Sequence, residues 1–231
     1  MTLLSATGLT KAYGGVRAVD AVDLEVDAGQ MVAMIGPNGA GKSTCFGLIG
    51  GQIRPDAGRV ELDGADITGT PPKARARLGL GRTFQVAQVF ASMTIGENLA
   101  VAGRGAALPP LLDRVGLAGA ADRPAAALAY GDIKRLELAL TLATSPRLLL
   151  MDEPSAGLAP AERRSLMALI AGLARDDGLA VMFTEHDMDV VFGHADRILV
   201  LDRGKLIASG DPAAIRADER VRAVYLGQGD G

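Results

Sequence analysis

The chain has 231 residues, enough for one large domain or for a core carrying an inserted subdomain. Lys and Arg number 24 against 27 Asp and Glu, a net charge of −3 that gives no support to nucleic-acid binding as a main task. Aromatics are 3% and Trp is absent, so the 48% of hydrophobic residues must build an aliphatic core, and the single cysteine, Cys45, excludes an internal disulfide. No eighteen-residue apolar run exists to span a bilayer. Residues 1–15 lack the basic start and apolar stretch of a signal peptide. A reducing, cytoplasmic setting is expected.

Residues 7–29 read as strand pieces with turns. From Ala21 to Asp27 apolar and polar residues alternate, the pattern of a half-buried antiparallel strand. Tyr13-Gly14-Gly15 sits in a turn ahead of it. Met31–Ile35 is short and apolar enough for a buried strand. It runs into Gly36-Pro37-Asn38-Gly39-Ala40-Gly41-Lys42-Ser43, which is G-x-x-x-x-G-K-[ST], and residues 44–49 then read as helix. Strand, glycine loop and helix form the context this phosphate-binding pattern needs. Glycines let the loop curl so that backbone N–H groups point at phosphate oxygens, and the helix N-terminus adds partial positive charge. Lys42 is placed to reach the β- and γ-phosphates, and the Ser43 hydroxyl to bind Mg²⁺. Nucleoside triphosphate binding is therefore expected. Cys45 lies near the start of this helix, where a thiol can be acidified, though a small buried side chain is the plainer expectation.

Residues 60–67 carry a hairpin signal with Asp63-Gly64 as the turn. Pro71-Pro72 opens a basic segment, Lys73 to Arg77, read as a solvated helix face. After Gly81-Arg82-Thr83-Phe84-Gln85 the pattern changes. Thr94-x-x-Glu97 is a capping box that starts a helix. Residues 103–110 look like loop, and 111–115 resume helix. Residues 125–143 are helical after Tyr130-Gly131, with Ile133, Leu136, Leu140 and Ala143 on one face. Residues 86–146 thus read as a helical insertion between strands. Residues 148–151 are a second buried strand, ending in Asp152-Glu153-Pro154. Adjacent carboxylates there need a cation or a task. Pro160 opens a helix that breaks at Gly178. Ala180–Thr184 is a third strand, ending in Glu185-His186-Asp187, with Asp187 a helix N-cap. Arg197–Asp202 and residues 205–209 form a hairpin around Arg203-Gly204. Strands alternating with helices imply a mostly parallel α/β sheet, with ligands beyond the carboxyl ends of its strands.

The order Tyr13, phosphate loop, Gln85, Leu128-Ala129-Tyr130-Gly131-Asp132, Asp152-Glu153, His186 resembles the ATP-binding subunit of ABC transporters over essentially the whole chain. Thr83-Phe84-Gln85, Met93-Thr94-x-x-Glu97-Asn98-Leu99, Tyr130-Gly131, residues 153–160, Glu185-His186-Asp187-Met188 and the closing Val224-Tyr225-Leu226-Gly227 are similar to the group importing branched-chain amino acids, urea, amides and other small polar solutes. A non-transport ABC ATPase and a lipopolysaccharide-type export ATPase are the alternatives.

The resemblance implies a P-loop NTPase core (1–85 and 147–231) with an N-terminal antiparallel β subdomain, and a helical signature subdomain at 86–146. It implies ATP and Mg²⁺ as ligands. Tyr13 would stack on adenine, and Gly36, Pro37, Asn38, Gly39, Ala40, Gly41, Lys42, Ser43 and Thr44 would hold the phosphates. Asp152 would hold Mg²⁺ with Ser43, and Gln85 would complete that shell. Glu153 would act as general base, with His186 placing the water and Lys42 neutralising charge. Leu128, Ala129, Tyr130, Gly131 and Asp132 would act in trans, capping the nucleotide of a partner in a head-to-tail dimer with a second copy or a related chain. Gln85 would also sense the γ-phosphate, with residues 86–91 facing a permease on the inner face of the membrane. A solute-binding protein would deliver the cargo. The signature departs from the broader family's Leu-Ser-Gly-Gly-Gln at Ala129, Tyr130 and Asp132, which puts closure affinity in question. Asp132 is expected to point away from phosphate. Ala159 stands where many relatives carry aspartate.

Overall fold

The computed structural model describes residues 1–83, 89–103 and 108–226. Two long strands, β1 (Thr2–Tyr13) and β2 (Val16–Asp27), open the chain. β3 (Met31–Ile35), the loop and α1 (Lys42–Gly50) follow, then β4 (Ala57–Leu62), β5 (Ala65–Asp66), α2 (Pro72–Arg77) and β6 (Leu80–Arg82). Helices α3 (Ile95–Ala102) and α4 (Leu108–Arg114), a 3₁₀ turn at Ala125–Ala127 and α5 (Tyr130–Leu142) come next. The rest alternates: β7 (Leu148–Asp152), α6 (Pro160–Asp177), β8 (Ala180–Thr184), α7 (Met188–His194), β9 (Arg197–Asp202), β10 (Lys205–Gly210), α8 (Pro212–Ala217) and α9 (Glu219–Leu226).

Among the described residues, the strands form a six-stranded sheet of order β10-β9-β3-β8-β7-β6 and a four-stranded sheet of order β2-β1-β4-β5. The first is parallel except at β10, which pairs antiparallel with β9. The second is antiparallel throughout. The central strands are apolar without alternation because both their faces are covered. Met31, Ala33 and Ile35 of β3 join one core with α3 to α7, whereas Val32 and Met34 join the other with α1 and the antiparallel sheet. The strands β7, β8 and β9 divide in the same way.

β2 keeps the expected alternation: Val22, Leu24 and Val26 are buried, Asp23 and Glu25 exposed. Two of the tight hairpins turn on a non-glycine residue followed by glycine at positive φ, Asp63 (53°) with Gly64 (74°) and Arg203 (45°) with Gly204 (80°). That is the geometry whose twist matches paired strands. The capping box is complete: Glu97 N–H donates to Thr94 Oγ1 at 3.1 Å, and Thr94 N–H to Glu97 Oε2 at 2.8 Å.

Three expectations need correction. Residues 108–110 belong to helix α4, not loop, because prolines fit a helix's first turn, where N–H groups lack partners anyway. Residues 125–127 form a 3₁₀ turn rather than the start of α5. The basic segment is not wholly solvated: Lys73 and Arg77 are exposed, but Arg75 is 1% exposed. Its guanidinium donates to the carbonyls of Leu48 (3.0 Å) and Ile49 at the end of α1, and to Thr68 (3.0 Å) and Thr70 (2.8 Å). A cation there complements the negative end of the helix dipole.

Candidate nucleotide site

The glycine loop lies where β3 ends, at the centre of the parallel sheet and beside the carboxyl end of β8. Two of its glycines are required by close approach. A Cβ on Gly36 would fall 2.3 Å from the Leu201 carbonyl oxygen, and one on Gly41 (φ 106°) would fall 2.2 Å from that of Ala18. Gly204 N–H donates to Ala40 O at 2.9 Å, tying the loop to the β9–β10 turn. Lys42 begins α1 and is 9% exposed. Its Nζ donates to Gly36 O (2.7 Å) and Pro37 O (3.1 Å). Burial lowers the ammonium pKa, while the charges of Glu153 and Asp152 oppose that shift. Cys45 is fully buried in the same helix, and its thiol is pushed up to about 12, so the acidified reading does not hold.

Facing the loop are the ends of β7 and β8. Thr184 Oγ1 donates to Asp152 Oδ1 at 2.6 Å and accepts from Glu153 N–H at 3.1 Å. Glu153 has φ 48°, a left-handed conformation unusual for a residue with a Cβ, which costs about 1–3 kcal/mol and persists only where surroundings impose it. That turn aims its carboxylate at His186, whose Nε2 lies 2.9 Å from Glu153 Oε1. Asp187 caps α7 by accepting from Asp189 and Val190 N–H (3.0 and 3.3 Å), and it pairs with Arg163. Burial pushes its carboxyl pKa up, but the Val190 N–H, Arg163 and Asp189 N–H together hold it below the ordinary carboxylate range.

One cleft of about 350 Å³ brings these groups together. Tyr13, Asn38, Gly39, Ala40, Gly41, Lys42, Ser43, Thr44, Asp152, Glu153 and His186 line it, along with Ala18. Gly36 and Pro37 are not in that lining; their carbonyls hold the Lys42 ammonium. Gln85 lies outside the described residues. Leu128, Ala129, Tyr130, Gly131 and Asp132 are not in the lining either. They make the entry and first turn of α5, with Leu128 buried and Tyr130 45% exposed. A Cβ on Gly157 would lie 3.1 Å from the Tyr130 ring, so the ring rests on the loop that follows Glu153. Asp132 lines a separate groove with Arg135, Leu158, Glu162 and Ser165.

Sequence alone assigns no site role to Ala18, which lines the cleft, or to Thr184, which bonds to Asp152 and Glu153. Thr184 carried a signal, a hydroxyl residue closing an otherwise apolar strand. The site suits a triphosphate with Mg²⁺. The ammonium is held by weak neutral acceptors, and the exposed Ser43 lines the same cleft as Asp152 and Glu153. No cluster of three or more His, Cys, Asp or Glu able to hold a metal occurs among the described residues. Mg²⁺ is typically held by one or two carboxylates plus substrate phosphates, not by an all-protein cage.

Comparison with known proteins agrees. A family model for the ABC transporter matches residues 19–156, and one for the branched-chain amino acid ATP-binding cassette transporter matches residues 205–231. The chain is 40% identical to the high-affinity branched-chain amino acid transport ATP-binding protein BraF of Pseudomonas aeruginosa, covering 98% of each chain. It is 39% identical to the corresponding protein LivG of Escherichia coli K12, again over 98% of both. The crystal structure of an ATP-binding cassette of an ABC transporter in its ADP conformation superposes with a TM-score of 0.89 at 30% identity, covering 99% of this chain and all of the other. The chain belongs to the ABC transporter family, as one of its nucleotide-binding ATPase cassettes.

Proposed function

We propose that this chain is the ATP-hydrolysing subunit of an importer for branched-chain amino acids or similar small polar solutes, working through separate permease subunits at the inner face of the membrane. The similarity to BraF and LivG over nearly the whole chain supports the solute class. The observation that carries the ATPase chemistry is the Glu153–His186 contact at 2.9 Å, in the cleft that Lys42 and Ser43 also line. In this reading residues 1–85 and 147–231 form the catalytic core and 86–146 the helical subdomain; of the stretch 86–91 expected to meet the permease, 86–88 lie outside the described residues.

Within the cleft each side chain has a task. Tyr13, half exposed at the rim, stacks on adenine. Lys42 exchanges the Gly36 and Pro37 carbonyls for the β- and γ-phosphates. Ser43, Asp152 and Gln85 are the residues that would hold Mg²⁺, whose chemistry is to neutralise charge on the phosphate oxygens. Glu153 accepts the proton of the attacking water, and His186, already bonded to it, fixes the water and the γ-phosphate. Leu128 to Asp132 lie away from this cleft, which suits a head-to-tail dimer in which each signature caps the partner's nucleotide. Its helix N-terminus and Gly131 N–H supply the anion site.

The test is uptake of radiolabelled leucine by cells that express the permeases and solute-binding protein, with this chain as their ATPase. The Lys42→Ala variant should leave only background uptake. Wild-type uptake by that variant would reject the proposal.

A further inference from the structure

Four consecutive residues, Thr184 to Asp187, each bond to the stretch between β7 and the first turns of α6. Thr184 accepts from Glu153 N–H and donates to Asp152. Glu185 Oε1 accepts from Ser155 N–H at 2.9 Å. His186 meets Glu153. Asp187 pairs with Arg163, whose Nη2 reaches Leu158 O at 3.3 Å. The proposed function uses Asp152, Glu153 and His186, and leaves Glu185 without a task. Yet Glu185 is 6% exposed, a buried carboxylate one residue from His186, and Ser155, two residues from Glu153, is 1% exposed. A carboxylate is costly to bury, and one backbone N–H is a modest return unless the bond fixes something.

What it fixes is the loop carrying Glu153. The base sits at φ 48°, a conformation its own side chain does not favour, at the start of a turn in which Ala156 N–H returns to Glu153 O at 3.1 Å. The turn is anchored on both sides: behind the base by Thr184, through its hydroxyl and its backbone carbonyl, and ahead of it by the Glu185 bond. Releasing the forward anchor frees the turn to relax toward ordinary backbone, which moves the Glu153 carboxylate away from His186.

We propose that Glu185 is a positioning residue for hydrolysis: through Ser155 N–H it locks the turn after Glu153 so that base and His186 stay in register. This rests on the reading of Glu153 as general base. The proposal needs an acceptor oxygen at glutamate's reach and not a negative charge. Glu185→Gln keeps reach and acceptor; Glu185→Asp keeps the charge but is one methylene short; Glu185→Ala lacks both.

The experiment measures kcat, KM for MgATP and thermal midpoint for the three variants, with Glu153→Gln as control. The expected order of kcat is wild type, then Glu185→Gln within about threefold, then Glu185→Asp and Glu185→Ala lower by about tenfold to a hundredfold. That is the scale of misplacing a reacting group by less than an ångström or so. KM should stay within about twofold, because the phosphate loop is untouched. If Glu185→Ala fails to fold, the order of the Gln and Asp variants still decides. Wild-type kcat for Glu185→Asp with a depressed Glu185→Gln would overturn the proposal in favour of charge. Unchanged kcat with a lowered midpoint in all three would overturn it in favour of structure alone. Wild-type turnover by Glu153→Gln would instead overturn the base assignment underneath, and this proposal with it.

Discussion

Lys42 and Cys45 stand three residues apart on α1 and meet opposite surroundings. Lys42 keeps its ammonium at the cleft, held by two carbonyls. Cys45 is wholly enclosed, and its thiol is pushed up to about 12. An unfolded chain ionises a thiol near about pH 8.5, so the folded state holds the proton more tightly. The stability this contributes is complete below about pH 8.5 and is lost as pH rises from there toward 12. Denaturation followed against pH should therefore show an alkaline loss that Cys45→Ala reduces, and a thiol reagent at pH 8 should label Cys45 only after urea unfolds the chain. Rapid labelling of the native protein would contradict this. The phosphate loop is legible because its pattern sets glycine, lysine and serine at fixed spacing after an apolar strand, and Gly36 and Gly41 are further required by the close approach of the Leu201 and Ala18 carbonyls. Glu185 carries no such mark, because a buried carboxylate anchoring a backbone N–H looks, in sequence, like any acidic residue.

At the scale of elements, α1 is held at both ends by other parts of the chain. Its start is built into the glycine loop, and its last carbonyls are taken by Arg75 from α2. Arg75→Met leaves the carbonyls of Leu48, Ile49, Thr68 and Thr70 short of a charged donor. The expected cost is about 2–3 kcal/mol, read from the shift of the urea midpoint; an unchanged midpoint would show that the clamp contributes nothing net. The strands β3, β7 and β8 were legible as apolar runs, since burial on both faces removes alternation. Arg75 was not legible: its place in a run with Lys73 and Arg77 suggests a solvated face, and only the tertiary approach of α1 turns one of the three inward. The start of α4 was missed because paired prolines suggest loop, although a helix's first turn accepts them.

For the molecule as a whole, the sheet order β10-β9-β3-β8-β7-β6 puts the phosphate loop at the centre, beside the strand that leads to His186 and one strand away from Asp152-Glu153. The phosphate loop, Asp152-Glu153 and His186, three segments far apart in sequence, line one cleft, to which the antiparallel strands add Tyr13 and Ala18. The sequence reading placed all three at strand ends, where such sheets bind ligands. Periodicity alone gives no order for the strands, and no distance such as that from Glu153 to His186. The most direct test of the account is single-turnover phosphate release from radiolabelled ATP with Mg²⁺, comparing the chain with Glu153→Gln at protein in excess over nucleotide. Glu153→Gln should keep its nucleotide affinity and release phosphate at least about a hundredfold more slowly, the usual contribution of a general base. Release at the wild-type rate would contradict it.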